Sequence, residues 1–365
     1  MSDLPKSQHR TELKIYDWYA SQRETPRQHL GASIIGHPCD RYLWLTFRWA
    51  AEAKFEGRIL RLFGTGKREE ARVFEELRAI GVEVHSEENG SQINCRDESG
   101  HFGGSVDAIV RGLPESPKAW AVLEIKTHNT RSFADVKKRG VADSKYQHFA
   151  QMQIYMSLLK LERALYFAVC KETDEIYTEW VHADQDAAAS LSQRATSIVF
   201  AKEPPARVSS DPAYYLCKMC PMYGQCHNMQ TASVNCRTCA NVTQNCNGSW
   251  TCEHHNITVL GLKKQQEGCE EHLFIPPLIP FGHASDAGEG WIEYEHLETG
   301  KTFRNGSAFY KSSELSISPA EVISDPFIAK LKTELKATIT KVSKKPRKAV
   351  DLSAVDKFFD DPIPF

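Results

Sequence analysis

Apolar positions in the first 80 residues recur at helical spacing. Residues 11–21 and 41–53 carry mixed apolar and charged faces, and 63–80 sets Ala71, Phe74, Leu77 and Ile80 on one stripe. Gly81 supplies a C-terminal stop. From Val82 the period changes to that of strands. Short runs at 82–85, 101–111 and 119–126 surround the turn-rich stretch 112–118. Helices are expected over 145–161 and 184–201, with a strand pair at 163–170 and 176–181 between them. Helices followed by a small sheet with a helix crossing it define an α/β core of about 200 residues. Beyond it lie a cysteine-rich stretch (217–272), strand-like runs around Gly300, a helix over 319–340, a basic linker (341–348) and an acidic end. The division expected is 1–230, 231–310, 311–348 and 349–365.

The strand at 119–126 carries the chemistry. Side chains alternate along a strand, so Trp120, Val122, Glu124 and Lys126 share one face and Leu123 and Ile125 the other. A symmetric hairpin centred between Glu115 and Ser116 sets Asp107 opposite Glu124. Two carboxylates and an ammonium then meet at one spot. Such a set suits phosphodiester hydrolysis, in which carboxylates hold Mg²⁺ or Mn²⁺ by hard oxygen ligation and lysine orients or helps deprotonate the attacking water. The bland alternative is a solvated Glu–Lys pair on an edge strand.

These residues also carry a resemblance. Gly104-Ser105-Val106-Asp107, Leu123-Glu124-Ile125-Lys126 and Gln151-x3-Tyr155 together resemble the RecB-type branch of the PD-(D/E)XK nucleases. The resemblance implies a restriction-endonuclease-like α/β core with N-terminal helices. It also implies metal ligation by Asp107 and Glu124, catalysis with Lys126, and a helix presenting Gln151 and Tyr155 to the site. Gly64-x-Gly66-x3-Glu70 matches the helical segment that supplies a further ligand, Glu70. The histidine that some relatives carry near Lys67 is absent.

Composition changes the picture in one respect. The chain has 365 residues, 41% hydrophobic and 25% charged, with a formal charge of −2. That balance does not announce a nucleic-acid binder, yet a nuclease needs only local positive charge. Arg58, Arg61, Lys67, Arg68, Arg131, Lys137, Lys138, Arg139 and Lys145 are candidates for phosphate contacts to DNA ends or single strands. With no targeting segment and no membrane-length apolar run, a cytoplasmic protein is expected.

Cysteine is the informative residue. Of 11, eight fall between Cys217 and Cys269, which in a cytosolic chain reads as metal or iron–sulfur ligation ahead of disulfides. Cys217-x2-Cys220-x5-Cys226 with the early Cys39 resembles the CRISPR-adaptation nucleases, AddB-type subunits and phage exonucleases, and implies a [4Fe–4S] cluster. A structural Cys₄ zinc is the alternative. Further on, Cys236-x2-Cys239 with Cys252 and Cys269 reads as a small zinc-binding module, with His255 or His272 as substitute ligands and Cys246 as a bystander.

Residues 356–365 are similar to the terminal peptide of bacterial single-stranded DNA-binding proteins. The likeness implies docking of Ile363, Pro364 and Phe365, steered by Asp360 and Asp361, on partners that recognise that peptide. The function expected is metal-dependent DNA end processing in recombination or repair, by a phage-encoded protein. The alternative is a non-catalytic mimic of that peptide which diverts repair factors.

Overall fold

The computed structural model describes residues 10–22, 25–51, 55–318, 323 and 325–340. The terminal peptide with Asp360, Asp361, Ile363, Pro364 and Phe365 lies outside them, as does the basic linker.

Helix α1 (Arg10–Ser21), α2 (Asp40–Phe47) and α3 (Gly57–Ala79) precede a five-stranded sheet. Its strands are β1 (Glu83–His85), β2 (Ala108–Leu113), β3 (Ser116–His128), β4 (Arg163–Cys170) and β5 (Ile176–His182), in the order β5-β4-β3-β2-β1. Two helices, α4 (Thr130–Ser144) and α5 (Tyr146–Leu159), carry the crossover from β3 to its parallel neighbour β4; α6 (Gln185–Phe200) follows β5.

Alternation in β3 sorts its side chains between two layers. Leu123 and Ile125 pack with Leu165 and Phe167 of β4 beneath Val73 and Leu77 of α3. Val122 joins Tyr166, Ala168 and the α5 residues Met152 and Tyr155 in the opposite layer. Glu124 therefore enters a packed layer and not a solvated edge, because β3 is the middle strand.

Several expectations are corrected. Helix α2 stops at Phe47, and Trp49 has φ 53°. The buried stripe of α3 is Val73 and Leu77 with Phe74 beside it, while Ile80 is 65% exposed. Helix α4 was not expected; Asn129 caps it by accepting from the Ser132 N–H at 2.7 Å. The span 319–340 is not one continuous described helix: Ser312–Ile317 and Pro326–Leu335 are separate elements.

The cysteine-rich stretch and the strands after it share the apolar core of the first 200 residues, through Trp250, Phe274 and Tyr294. Arg237 is 1% exposed and stacks over Trp49 at 3.7 Å, and its NH1 donates to the Phe47 carbonyl at 3.0 Å. Strands Gly282–Gly288, Trp291–His296 and Thr302–Gly306 complete it.

Candidate active site

The hairpin register is Ala108↔Leu123, so the residue before Ala108, Asp107, falls across from Glu124. Asp107 Oδ2 accepts from the backbone N–H of Ile125 at 2.8 Å. A bulge at Gly112 (φ 92°) moves the turn to Pro114–Glu115 without disturbing the pairing beyond it.

Glu124 is 0% exposed and ion-paired with the Lys126 ammonium. Apart from Lys126, neither of its buried oxygens has a hydrogen-bond partner among the described residues. Burial pushes its carboxyl up to about 8, with Lys126 pulling the other way and Asp107 and Glu70 adding to the rise. Asp107 is likewise raised by burial, against the pull of Lys126 and the Ile125 N–H. For Lys126 burial works against the charge, but Glu124, Asp107 and Glu70 outweigh it and raise its pKa. Lys126 is thus an ammonium, suited to orienting and stabilising anions more than to taking a proton.

Glu70 projects from α3 one turn before Val73, on the helix side that faces the sheet. Its carboxyl is pushed up to about 7, first by burial and then by Asp107, with Lys126 and Lys67 opposing. Three acids and one lysine therefore share a field.

From α5, Gln151 and Tyr155 reach the same layer. The Tyr155 hydroxyl donates to the Ser105 carbonyl at 2.8 Å, two residues before Asp107, and Gln151 Nε2 donates to the Tyr155 oxygen at 3.4 Å. Gln151 Oε1 is buried without a hydrogen-bond partner among the described residues. Tyr155 is held well above its ordinary pKa by burial, followed by Glu124, so it stays a donor.

Sequence reasoning missed a cationic flank. The Arg27 guanidinium donates to Ser33 at 3.0 Å and lies within electrostatic reach of Tyr155 and Arg96. Arg96 donates to the Cys95 and Gly104 carbonyls, at 2.9 and 3.2 Å. Both residues are exposed; Asp97 lies within electrostatic reach of Arg96, and neither guanidinium is ion-paired with a carboxylate among the described residues. His29 is held neutral between them, pushed down to about 3 by burial and then by Arg96 and Arg27. These three are scattered along the sequence, and no spacing links them. By contrast Lys137 and Arg139, candidates for DNA contact, are engaged with Glu175 (3.1 Å) and Asp135 (2.6 Å).

Cys39, Cys217, Cys220 and Cys226 line one cavity, with Arg41 and Arg207 at its edge. Cys220 is pushed up to about 12 by burial. Cys236 is pushed up to about 12 by burial and then by Cys239, Cys269 and Cys252, and Cys246 is exposed. Of the expected substitutes, His272 has its Nδ1 buried without a hydrogen-bond partner among the described residues. His272 Nε2 sits 3.0 Å from the Asn235 carbonyl, and exposed His255 packs edge-on against His254. As the side chains lie, no three His, Cys, Asp or Glu residues among those described stand at metal-ligating spacing. No described helix is long and apolar enough to cross a membrane.

The chain is similar to LHK-Exo in complex with dAMP, at 14% identity over 51% of this chain and 89% of that one, with a TM-score of 0.35. It is similar as well to the alkaline exonuclease LHK-Exo from Laribacter hongkongensis, at 17% identity over 50% and 89%, TM-score 0.32. A phage-related exonuclease from Haemophilus somnus 129PT matches at 16% identity over 44% and 77%, TM-score 0.32. No family model and no curated protein matches the sequence.

Proposed function

We propose that the protein is a Mg²⁺- or Mn²⁺-dependent deoxyribonuclease that processes DNA ends. The observation that carries this reading is the buried Glu124 carboxylate, whose two oxygens lack a hydrogen-bond partner beyond Lys126 among the described residues, with Asp107 across the hairpin from it. A carboxylate left so in a packed layer is costly unless a cation completes it. Asp107 and Glu124, with Glu70 from α3, are the hard oxygen donors that fit a divalent ion. Such an ion, when bound, lowers the pKa of its water and neutralises charge on the phosphate.

The chain's own groups do the rest. Lys126 orients the attacking water and stabilises the anionic transition state. Tyr155 holds the Ser105 carbonyl and so fixes the segment bearing Asp107. Arg27 and Arg96 receive backbone phosphates without reading bases, which makes binding salt-dependent and weakly sequence-specific.

The four thiols around the first cavity suit a [4Fe–4S] cluster, and Cys236, Cys239, Cys252 and Cys269 suit Zn²⁺. The first set ties Cys39 to a segment far along the chain and the second closes the segment 236–269 on itself, so their role is structural. A role in recombination or repair, a phage origin and recruitment of partners through Phe365 belong to the same proposal and rest on the motif and terminal-peptide resemblances.

The test is digestion of end-labelled linear and circular DNA by anaerobically purified protein with Mg²⁺ or Mn²⁺. Wild type degrades linear DNA, and Glu124→Gln does not while still binding it. A wild type inert with either metal would overturn the proposal.

A further inference from the structure

Helix α1 has no buried residue, yet it is built against α3. Gly57 of α3 approaches the Tyr16 main-chain carbonyl so closely that a Cβ has no room, and the Tyr19 ring touches the position above Gly64. The adjoining side forms an open groove lined by Thr11, Lys14, Ile15, Trp18, Tyr19 and Arg61. Trp18 is 57% and Ile15 43% exposed, and the Trp18 and Tyr19 rings meet edge-on at 4.8 Å. The lining thus combines aromatic faces with two cations and, among the described residues, no carboxylate.

We infer that this groove binds the bases of a single DNA strand, Trp18 and Tyr19 stacking on them while Lys14 and Arg61 meet the phosphates. The inference rests on the nuclease reading above. Charge complementarity selects an anionic occupant, and the exposed indole selects one that offers flat apolar faces. A duplex hides those faces within its stack, so the occupant is single-stranded. Arg61 and Glu70 lie nine residues apart on one helix, about two and a half turns, so the groove opens on the side of α3 away from the acids and is a separate site.

The test compares a duplex bearing a six-thymidine single-stranded extension with the same duplex bearing six abasic spacers, bound in EDTA and read by fluorescence anisotropy. Wild-type full-length protein binds the thymidine extension more tightly than the abasic one. Trp18→Ala loses about tenfold on the thymidine extension, within the usual worth of one base–aromatic stack, and nothing further on the abasic one. Trp18→Phe restores most of the difference. An unchanged Trp18→Ala affinity, or an equal loss on both extensions, overturns the inference. So does a wild-type dimer that Trp18→Ala converts to a monomer, because the groove would then be an interface between copies. Mg²⁺-dependent digestion of blunt duplex by wild type, run alongside, separates failure of the groove from failure of the nuclease reading: digestion without a Trp18 effect sinks only the groove.

Discussion

The backbone N–H of Ile125 donates to Asp107 Oδ2 at 2.8 Å, tying one acid to the strand residue that follows the other, Glu124. A main-chain donor therefore fixes the Asp107 carboxylate against the strand that carries Glu124. Replacing the charge while keeping the acceptor isolates its role. Asp107→Asn is expected to fold with a Tm within a few degrees of wild type. Its metal-dependent hydrolysis should drop at least about a hundredfold, the scale on which one electrostatic group in a transition state is usually felt. Activity near wild type would exclude Asp107 from the chemistry.

Gly104 tests the support behind that carboxylate. A Cβ there would lie 2.5 Å from the Tyr155 hydroxyl. Gly104→Ala should push Tyr155 off the Ser105 carbonyl and move Asp107, lowering kcat about 10- to 100-fold, as small misplacements at reacting centres do. Tyr155→Phe, which removes the hydrogen bond without the clash, should lose less. Equal kcat for Gly104→Ala and wild type would show that the strap is not needed.

Protonation gives a signed prediction. Glu124 is raised from 4.5 to about 8 and Glu70 from 4.5 to about 7, burial being the first cause of each. Without metal, the unfolded chain releases these protons near the ordinary carboxylate range while the folded chain keeps them. Across that window the unfolded state binds fewer protons, so these groups erode stability as pH rises from about 4.5 to 8. In EDTA, the Tm of Glu124→Gln should therefore gain on wild type as pH increases through the window; a constant difference would refute the shift. Metal binding must displace the same protons. Mg²⁺ or Mn²⁺ affinity should strengthen with pH up to about 8, with proton release visible in calorimetry run in two buffers.

The two cysteine sets should separate by metal. Cys220→Ser is expected to purify without iron and without brown colour but with its zinc; Cys239→Ser should lose zinc and keep iron. Each should melt well below wild type, since ligation holds together segments that the apolar core alone ties weakly. Elemental analysis and thermal melts of anaerobic preparations decide it. Iron and zinc both absent from wild type would remove the two proposed ligand sets.

Much of this site was legible in the sequence because its determinants are periodic. Alternation along residues 119–126 identified the face of Glu124 and Lys126, and symmetric pairing about Glu115 and Ser116 set Asp107 opposite Glu124; the bulge at Gly112 shifted the turn and spared the register. Gln151 and Tyr155, four apart on α5, faced one way for the same reason. Where period is weak, reading failed. The polar run that forms α4 hid its helix, since Phe133, Val136 and Val141 straddle a break at Gly140 (φ 76°). On α3 the sheet selected Val73 over Ala71 and Ile80, and in doing so turned Glu70 inward.

Other properties belong to the tertiary structure alone. Strand alternation and pairing named Asp107 and Glu124, and the motif resemblance named Glu70, but only the central place of β3 under α5 removed water from Glu124 and raised its pKa. Arg27, His29 and Arg96 share no pattern in sequence; they meet because the short strand Leu30–Gly31 pairs with Phe102–Ser105, which in turn pairs with Asn94–Arg96. Local periodicity is set by neighbours a few residues away, whereas burial and convergence are set by segments that only folding makes adjacent.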